Sequence, residues 1–317
     1  MSNLIPRTPA PDNEPIGNYA PGSAERESLK AKIDQMMSRE IEVPVVVGDK
    51  EILTGNTGEN RAPHDHAHVL GNYHRASEKE VAMAIDAARG ARDHWSKLDW
   101  EDRAAVFLKA ADLLAGPYRD EINAATMLGQ SKTVFQAEID AACELIDFWR
   151  FNVDFMEQLY AVQPESSPGM WNKSDYRPLD GFVFAVSPFN FTSIAGNLPT
   201  APAMMGNTTL WKPASTQTYS AWVIMKVLHE AGLPPGVINF LPGAGPDVGN
   251  PVLASPELAG IHFTGSTGTF QHLWKTVGQN IDQYQCYPRL VGETGGKDFV
   301  FAHPSACLLY TSPSPRD

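Results

Sequence analysis

Four short motifs in the second half of the chain place polar or charged side chains among small residues, a combination that can bind ligands or do chemistry. The motifs are Ser187-Pro188-Phe189-Asn190-Phe191, Trp211-Lys212-Pro213-Ala214-Ser215, Phe263-Thr264-Gly265-Ser266-Thr267-Gly268 and Gly292-Glu293-Thr294-Gly295-Gly296-Lys297. Each motif also has a plainer interpretation, because the same residue types make ordinary turns and helix caps.

Asn190 and Glu293 are the candidates for catalysis. The Asn190 amide can donate hydrogen bonds to a carbonyl oxygen that gains negative charge. The Glu293 carboxylate lies among glycines that leave room for a substrate, and it can act as a general base. Taken alone, each motif fits a turn better.

Lys212 and the Gly265-Ser266 pair are the candidates for binding an anionic cofactor. A lysine that leaves a buried strand must reach an anion or solvent, and a helix start with Gly and Ser can face a phosphate. The run 243–249 (GAGPDVG) is a weaker candidate. Its last glycine is one residue late for a dinucleotide fingerprint, and the downstream acid is missing, so we predict a turn and a helix start.

Apolar runs alternate with helical segments from residue 181 onward, and these elements would position the four motifs. The predicted strands are GFVFAV, TLWKP, VINFLPG, AGIHFTG and PRLVGE, and the predicted helices span about 194–205, 221–231, 246–253 and 269–279. This alternation is typical of an α/β protein with a doubly wound parallel sheet. Ligands bind at the carboxyl ends of the strands in such sheets, which is where the motifs fall.

Residues 77–160 are predicted to be mainly helical. A capping box at Ser77 and Glu80 opens one, and two more are expected at 101–115 and 134–160. Residues 161–180 break the pattern with Pro, Gly and Ser, and are expected to form a linker or an exposed hairpin. The alternating histidines His64, His66 and His68 are interpreted as a solvated loop, because their segment does not preorganise a metal site.

Composition limits the classes of partner. The chain of 317 residues carries a net charge of −12, and 43% of its residues are hydrophobic. Such an acidic surface disfavours nucleic acid and membrane surfaces. Residues 181–211 lack charge, but their prolines and asparagines argue against a membrane span. Residues 1–20 read as an extended arm without a signal peptide, and the unpaired spacing of Cys143, Cys286 and Cys307 indicates a reducing compartment.

The joint order and spacing of the four motifs resemble the aldehyde dehydrogenase superfamily over about residues 40–306. The runs SPFNFTSIAGNLPTAPAMMGNTTLWKP and QAEIDAACELIDFWRFN are similar to members that act on glutamate 5-semialdehyde. The resemblance implies an aldehyde-dehydrogenase-like fold with an N-terminal arm and helix (1–40), a discontinuous NAD-binding domain (41–160 and 181–295), an oligomerisation hairpin (161–180) and the start of a catalytic domain (296–306). A homo-oligomer is expected, located in the cytoplasm or in the mitochondrial matrix of a eukaryote.

The resemblance also implies roles for individual residues. Asn190 would hold the oxyanion, Glu293 would activate water, and Phe191 would pack on the aliphatic part of a small aldehyde. The residues expected to contact NAD are Ser187, Lys212, Gly265, Ser266, Thr267, Gly268 and Thr269. Many relatives have Glu where Ser215 stands, which weakens the argument for NAD over NADP, although NAD remains the expected cofactor. The implied reaction is NAD-dependent oxidation of L-glutamate 5-semialdehyde to L-glutamate in proline degradation.

The sequence departs from the family pattern at its end. The family nucleophile is a cysteine about three dozen residues beyond the position of Glu293, whereas Cys307 is nearer and in another context, within a foreign-looking tail at 307–317. We therefore expect this chain to lack the nucleophile and most of the catalytic domain, and to be inactive by itself. Two other functions stay open: oxidation of a different semialdehyde, and a non-catalytic dinucleotide-binding fragment.

Overall fold

The structure is a computed structural model, and it describes residues 7–296 together with 299, 301, 303 and 305. The helices are α1 (Ala24–Met37), α2 (Glu78–Lys97), α3 (Trp100–Ala115), α4 (Arg119–Gln130), α5 (Val134–Ala137), α6 (Glu144–Ala161), α7 (Thr192–Met204), α8 (Thr218–Ala231), α9 (Gly245–Ala254) and α10 (Thr267–Gln279). The strands are β1 (Ile41–Val43), β2 (Val45–Val47), β3 (Lys50–Ile52), β4 (Thr57–Ala62), β5 (Asp65–His74), β6 (Phe182–Val186), β7 (Thr208–Lys212), β8 (Ile238–Phe240), β9 (Leu258–Gly265) and β10 (Arg289–Thr294).

A seven-stranded sheet in the order β10-β9-β6-β7-β8-β2-β3 forms the centre of the fold. The five strands from β10 to β8 are parallel, as the sequence predicted. β2 and β3 extend this sheet in antiparallel pairing, which the sequence analysis did not predict. The chain runs from β6 outward to β8 and then returns to place β9 on the other side of β6. A ligand crevice is expected at this reversal, outside the carboxyl ends of β6 and β9.

Helices cover both faces of the sheet because strand side chains alternate between two apolar cores. Leu210 of β7 joins the core formed with α2, α9 and α10, whereas the neighbouring Trp211 joins the core formed with α3, α4, α6, α7 and α8. Both side chains are fully buried. This layering holds the central strands β6, β7 and β8 in place, since nearly all of their residues are buried.

The N-terminal arm lies along α6, where acidic side chains hold its backbone. Glu157 accepts a hydrogen bond from the Thr8 amide at 2.7 Å, and Asp147 accepts one from the Glu14 amide at 2.7 Å. Residues 7–20 contain no helix or strand, in agreement with the predicted extended arm. The predicted helix 134–160 is present, with one difference: residues 138–143 form a π-helical turn between α5 and α6.

Two predictions for the first half need correction. His66 and His68 lie in strand β5, which pairs with β4, so the histidine segment is an exposed hairpin whose turn includes His64. The loop prediction failed because cross-strand pairing overrode the local composition. No group of metal-ligating side chains occurs in the part of the chain that the structure describes.

Residues 162–180 form no strand, so the predicted hairpin is not a β-hairpin. The segment instead closes through side chains: the Ser174 amide donates to Gln163 Oε1 at 2.9 Å, and the Asn172 amide donates to Ser166 Oγ at 3.0 Å. Residues 181–211 are strand, helix and strand, and none of the helices described from residue 7 to 296 has the length and apolar character of a membrane span.

Candidate cofactor and catalytic site

Ser187 joins the carboxyl ends of β6 and β7. Its amide donates to the Lys212 carbonyl at 3.2 Å, and its hydroxyl accepts a hydrogen bond from the Trp211 indole at 3.0 Å. Ser187 is buried and does not line the cavity described below. Its contacts therefore favour a role in fixing the two strand ends, while direct contact with a cofactor stays a prediction.

Asn190 and Phe191 occupy the short connection between β6 and α7. Asn190 is exposed, and its amide makes no hydrogen bond within the described part of the chain, so it is available to a ligand. Phe191 is half-buried, and the Lys132 ammonium lies 4.6 Å from the centre of its ring. The geometry thus presents a neutral donor next to an aromatic face at the carboxyl edge.

Lys212 is a buried cation without an acidic partner among the described residues. The side chain is 8% exposed, and its ammonium donates only to the Pro213 carbonyl, at 3.0 Å. Burial lowers the pKa of Lys212 to about 8. A buried ammonium without a counterion is costly, so this position suits a lysine that receives a partner when a polar or anionic ligand binds.

The Lys212 side chain lines a cavity of about 500 Å³ between α9 and α10. The lining residues are Phe184, Val186, Lys212, Gly245, Pro246, Gly249, Asn250, Leu253, Gly268, Thr269, His272 and Leu273. A Cβ atom built on Gly245, Gly249 or Gly268 would meet no atom within 4 Å, so the glycines leave open wall against which a ligand can lie. The starts of α9 and α10 lie beside this cavity, and helix starts are common anion-binding positions.

Of the predicted cofactor residues at α10, Gly268 and Thr269 line the cavity, and Gly265, Ser266 and Thr267 do not. Ser266 is the N-cap of α10, and its hydroxyl accepts a hydrogen bond from the Thr269 amide at 3.2 Å. The segment 243–249 contains the start of α9, as predicted, and it supplies Gly245 and Gly249 to the same cavity. The helix start was predicted, but the irregular glycine spacing hid its contribution to the cavity.

Glu293 lies within β10 opposite Thr264 of β9, one residue before the strand ends. The predicted strand PRLVGE ends at Glu293, and the strand in the structure continues one residue further, to Thr294. Gly295 then turns the chain with a φ of +72°, a conformation that favours glycine. Glu293 is exposed at the edge of the sheet, where a carboxylate can reach water.

Glu144 is a candidate site residue that the sequence did not reveal. It begins α6, and its carboxylate accepts a hydrogen bond from Ser193 Oγ at 2.6 Å, three residues after Asn190. Burial raises the pKa of Glu144, and the negative charges of Asp140, Asp147 and Glu293 raise it further. The last of these interactions places Glu144 within electrostatic range of Glu293. In the sequence, Glu144 looks like any acid in the first turn of a helix.

Neither cysteine that the structure describes belongs to this site. Cys143 is buried beside Glu138 and the N-terminal arm, where burial and the Glu138 charge raise the pKa of its thiol to about 12. Cys286 contacts the Asp180 carbonyl, just before β6 begins, so it lies at the amino edge of the sheet. Burial and Asp180 raise the pKa of Cys286. Cys307 and Lys297 lie outside the described residues.

The fold agrees with the comparison to known families. The chain belongs to the aldehyde dehydrogenase family, whose model matches residues 53–309. It is 51% identical over 302 residues to a delta-1-pyrroline-5-carboxylate dehydrogenase of Agaricus bisporus, covering 95% of this chain and 55% of that protein. It is 49% identical over 294 residues to the human mitochondrial enzyme of that name, covering 93% of this chain and 52% of the relative.

Solved structures agree. The NAD-bound delta-pyrroline-5-carboxylate dehydrogenase of Mycobacterium tuberculosis is 56% identical, with a TM-score of 0.93 over 98% of this chain and 58% of that one. A Thermus 1-pyrroline-5-carboxylate dehydrogenase with bound NAD is 29% identical, with a TM-score of 0.84 over 93% of this chain and 57% of that one. The chain spans about half the length of the curated relatives it matches.

Proposed function

We propose that this chain forms the cofactor site and part of the catalytic site of an enzyme that oxidises L-glutamate 5-semialdehyde to L-glutamate with NAD. The observation that carries the proposal is the unpaired ammonium of Lys212 in a cavity at the carboxyl edge of the sheet. The exposed amide of Asn190 and the Glu293 carboxylate follow β6 and end β10 at the same edge. Relatives at about 50% identity bear the name of the corresponding dehydrogenase.

The cavity fits a dinucleotide in size and chemistry. Its volume of about 500 Å³ lies within the usual range for cofactor sites. Lys212 would hold a ribose or phosphate oxygen, and the start of α9 and the residues Gly268 and Thr269 would lie along the cofactor. Lys212 and His272 are the basic side chains among the residues lining it, and no arginine is present there to hold a 2′-phosphate. This donor set favours NAD over NADP.

The residues of this chain would then divide the chemistry. Bound NAD would supply the hydride acceptor for this oxidation. Asn190 donates a hydrogen bond to the carbonyl oxygen while a thiolate adds to the aldehyde carbon and negative charge develops on that oxygen. Glu293 takes a proton from the water that later attacks the thioester carbonyl, which releases the carboxylic acid and regenerates the thiol.

The nucleophilic thiol comes from outside residues 7–296 in this proposal. A nucleophilic cysteine needs a lowered pKa and a place next to the oxyanion donor. Cys143 and Cys286 have raised pKa values, and their thiols bond to Pro15, Glu138 and Asp180. Residues 7–296 therefore supply oxyanion stabilisation, base and cofactor site, but no nucleophile.

The surroundings of Asn190 support an amino-bearing aldehyde as substrate. Phe191 offers an aromatic face to an aliphatic chain, and the Glu144 carboxylate can pair with an ammonium group. Glutamate 5-semialdehyde carries both an aliphatic chain and an α-ammonium group. A panel of aldehydes with and without an α-amino group separates this substrate from other semialdehydes.

We further propose that the enzyme is a homo-oligomer joined through the predicted segment 161–180. Trp171 is 81% exposed and Met170 61% exposed, although both are apolar side chains that proteins usually cover. Sedimentation of the protein with and without Trp171→Ala tests this role. The relatives from animals carry the word mitochondrial in their names, and we propose the same compartment for a eukaryotic source, and the cytoplasm otherwise.

Calorimetric titration with NAD and with NADP tests the central proposal. We expect NAD to bind, NADP to bind more weakly, and Lys212→Ala to lower NAD affinity about tenfold. Lys97, an exposed lysine on α2, provides the matched control, since Lys97→Ala leaves the cavity untouched. Equal NAD affinity in the parent protein and in Lys212→Ala would contradict the proposed cofactor site.

A further inference from the structure

A single side chain holds the backbone on both sides of Asn190. Gln130 is the last residue of α4, and its amide nitrogen donates to the Phe189 carbonyl at 2.8 Å. Its amide oxygen accepts a hydrogen bond from the Thr192 hydroxyl at 2.7 Å. Phe189 directly precedes Asn190, and Thr192 is two residues beyond it, so one amide group bridges the segment that carries the Asn190 side chain.

The orientation of the Gln130 amide follows from chemistry. The Phe189 carbonyl can only accept a hydrogen bond, so it must face the amide nitrogen. The amide oxygen then faces the hydroxyls of Thr192 and Ser220, at 2.7 and 3.3 Å, and both can donate. The opposite orientation would place two oxygens against each other at Phe189. The bridge therefore has one satisfied arrangement.

Buried hydroxyls anchor the far side of this bridge. Thr192 is fully buried, and its hydroxyl also lies 2.9 Å from the hydroxyl of Thr126 on α4. Three helices meet in this network, because Thr126 and Gln130 belong to α4, Thr192 begins α7 and Ser220 belongs to α8. Buried, satisfied polar networks specify one arrangement of the groups they join.

The Asn190 segment has little other support. In the described chain, the backbone hydrogen bonds of residues 187–191 outside regular elements are one from the Ser187 amide and one to the Phe191 carbonyl. Among the described residues, only Gln130 forms a hydrogen bond with a peptide group next to Asn190. The end of α4 also places Lys132 over the Phe191 ring, because Ser131 adopts the left-handed conformation with a φ of +54°.

We propose that Gln130 is the positioning residue for the oxyanion donor Asn190. This proposal rests on the proposed function, because it assumes that Asn190 donates to the reacting carbonyl oxygen. Gln130 acts through Asn190 alone: it fixes where the donor lies before the aldehyde arrives. Preorganisation of this kind decides how strongly a donor stabilises developing charge.

A double-mutant cycle in a complete enzyme that carries these residues tests the proposal. The rate of the first NADH burst reports aldehyde oxidation to the thioester. Gln130→Ala should slow the burst about ten- to a hundredfold, while NAD affinity and the rate of thioester hydrolysis stay within about twofold of the parent. Added to Asn190→Ala, Gln130→Ala should cause no further loss, since its effect passes through that side chain. Equal fractional losses in both backgrounds would overturn the positioning role.

Hydrogen–deuterium exchange provides a readout that does not depend on activity. Peptides covering residues 187–192 should exchange faster in Gln130→Ala than in the parent at an unchanged thermal midpoint. Gln136→Ala is the matched control, because Gln136 is an exposed glutamine that bonds only to Thr133. If Gln130→Ala does not fold, Gln130→Glu serves instead, since it keeps the acceptor for Thr192 and loses the donor for Phe189.

The oxyanion role of Asn190 and the positioning role of Gln130 can be refuted separately. A normal burst in Asn190→Ala would refute the oxyanion role and with it the proposed division of chemistry, whatever Gln130 does. A slowed burst in Asn190→Ala together with a normal burst in Gln130→Ala would refute the positioning role alone. Unchanged exchange at 187–192 in Gln130→Ala would do the same.

Discussion

The buried ammonium of Lys212 predicts a conflict between stability and cofactor binding that can be measured in Lys212→Met. The pKa of this lysine falls from 10.5 to about 8 through burial alone. Each pH unit between these values corresponds to about 1.4 kcal/mol. Holding the charge at pH 7 therefore costs the folded state about 3 kcal/mol.

The sign follows from proton binding. Between pH 8 and 10.5 the unfolded chain still holds the proton on this lysine, whereas the folded protein releases it. The unfolded state then binds more protons, so stability rises with pH across this window and the cost is fully present below it. Methionine removes the charge but also the hydrogen bond to Pro213, which is worth about 1 kcal/mol.

Lys212→Met should therefore be more stable than the parent by about 2 kcal/mol at pH 7 and less stable by about 1 kcal/mol above pH 10.5. Urea unfolding at the two pH values measures the difference, with Lys97→Met as a control that should match the parent at both. The same variant should bind NAD about tenfold more weakly at pH 7. A stability difference that keeps its sign and size from pH 7 to above 10.5 would refute the reasoning.

Three further predictions concern catalysis, the N-terminal arm and the isolated chain. In a complete enzyme, Asn190→Ala should slow the NADH burst by about 10²–10³, whereas Glu293→Gln should leave a burst followed by slow hydrolysis; rapid mixing that finds one shared defect would exclude the division. Glu138→Ala should destabilise the fold by about 3–5 kcal/mol, because it removes one of the two carboxylates that pair with Arg119 and leaves the buried Tyr19 and Asn123 side chains without their shared acceptor. The hydrogen bonds from Arg119, Gly17, Asn123 and Tyr19 hold the pKa of Glu138 below its ordinary value despite its burial. Its contribution to the free energy of unfolding should therefore be lost as the pH falls through the pKa that Glu138 has in the folded state, and urea midpoints at falling pH measure this loss. Purified residues 1–317 should not reduce NAD with glutamate semialdehyde, and turnover that Cys307→Ser abolishes would show that the nucleophile was misplaced.

The central strands of the parallel sheet could be predicted because they are buried on both faces. Such strands appear in sequence as short continuous apolar runs, and GFVFAV and AGIHFTG are clear examples. The strands between residues 41 and 74 gave no such signal. Three of them have three residues each, which is too short for periodicity, and β4 and β5 contain charged and histidine side chains that resemble a loop.

The site was predictable where it depends on strand ends and not where it depends on packing between distant helices. Lys212, Asn190 and Glu293 lie at or just beyond the ends of predicted strands, and the structure places them along one edge. Glu144 and Gln130 lie on helices far away in sequence. Their relation to Asn190 exists only after α4 and α6 have packed against α7, so local pattern could not reveal it.

The N-terminal arm can dock only after the α6 residues that hold it have been synthesised. The arm is made first, yet its contacts join Thr8 to Glu157, Glu14 to Asp147 and Gly17 to Glu138, over separations of 149, 133 and 121 residues. At about 5–20 residues per second, the ribosome needs roughly 7–30 seconds to supply the partner of Thr8. Throughout that interval the arm has no docking surface and stays accessible to proteases and chaperones, so arm closure reports when α6 has emerged and folded.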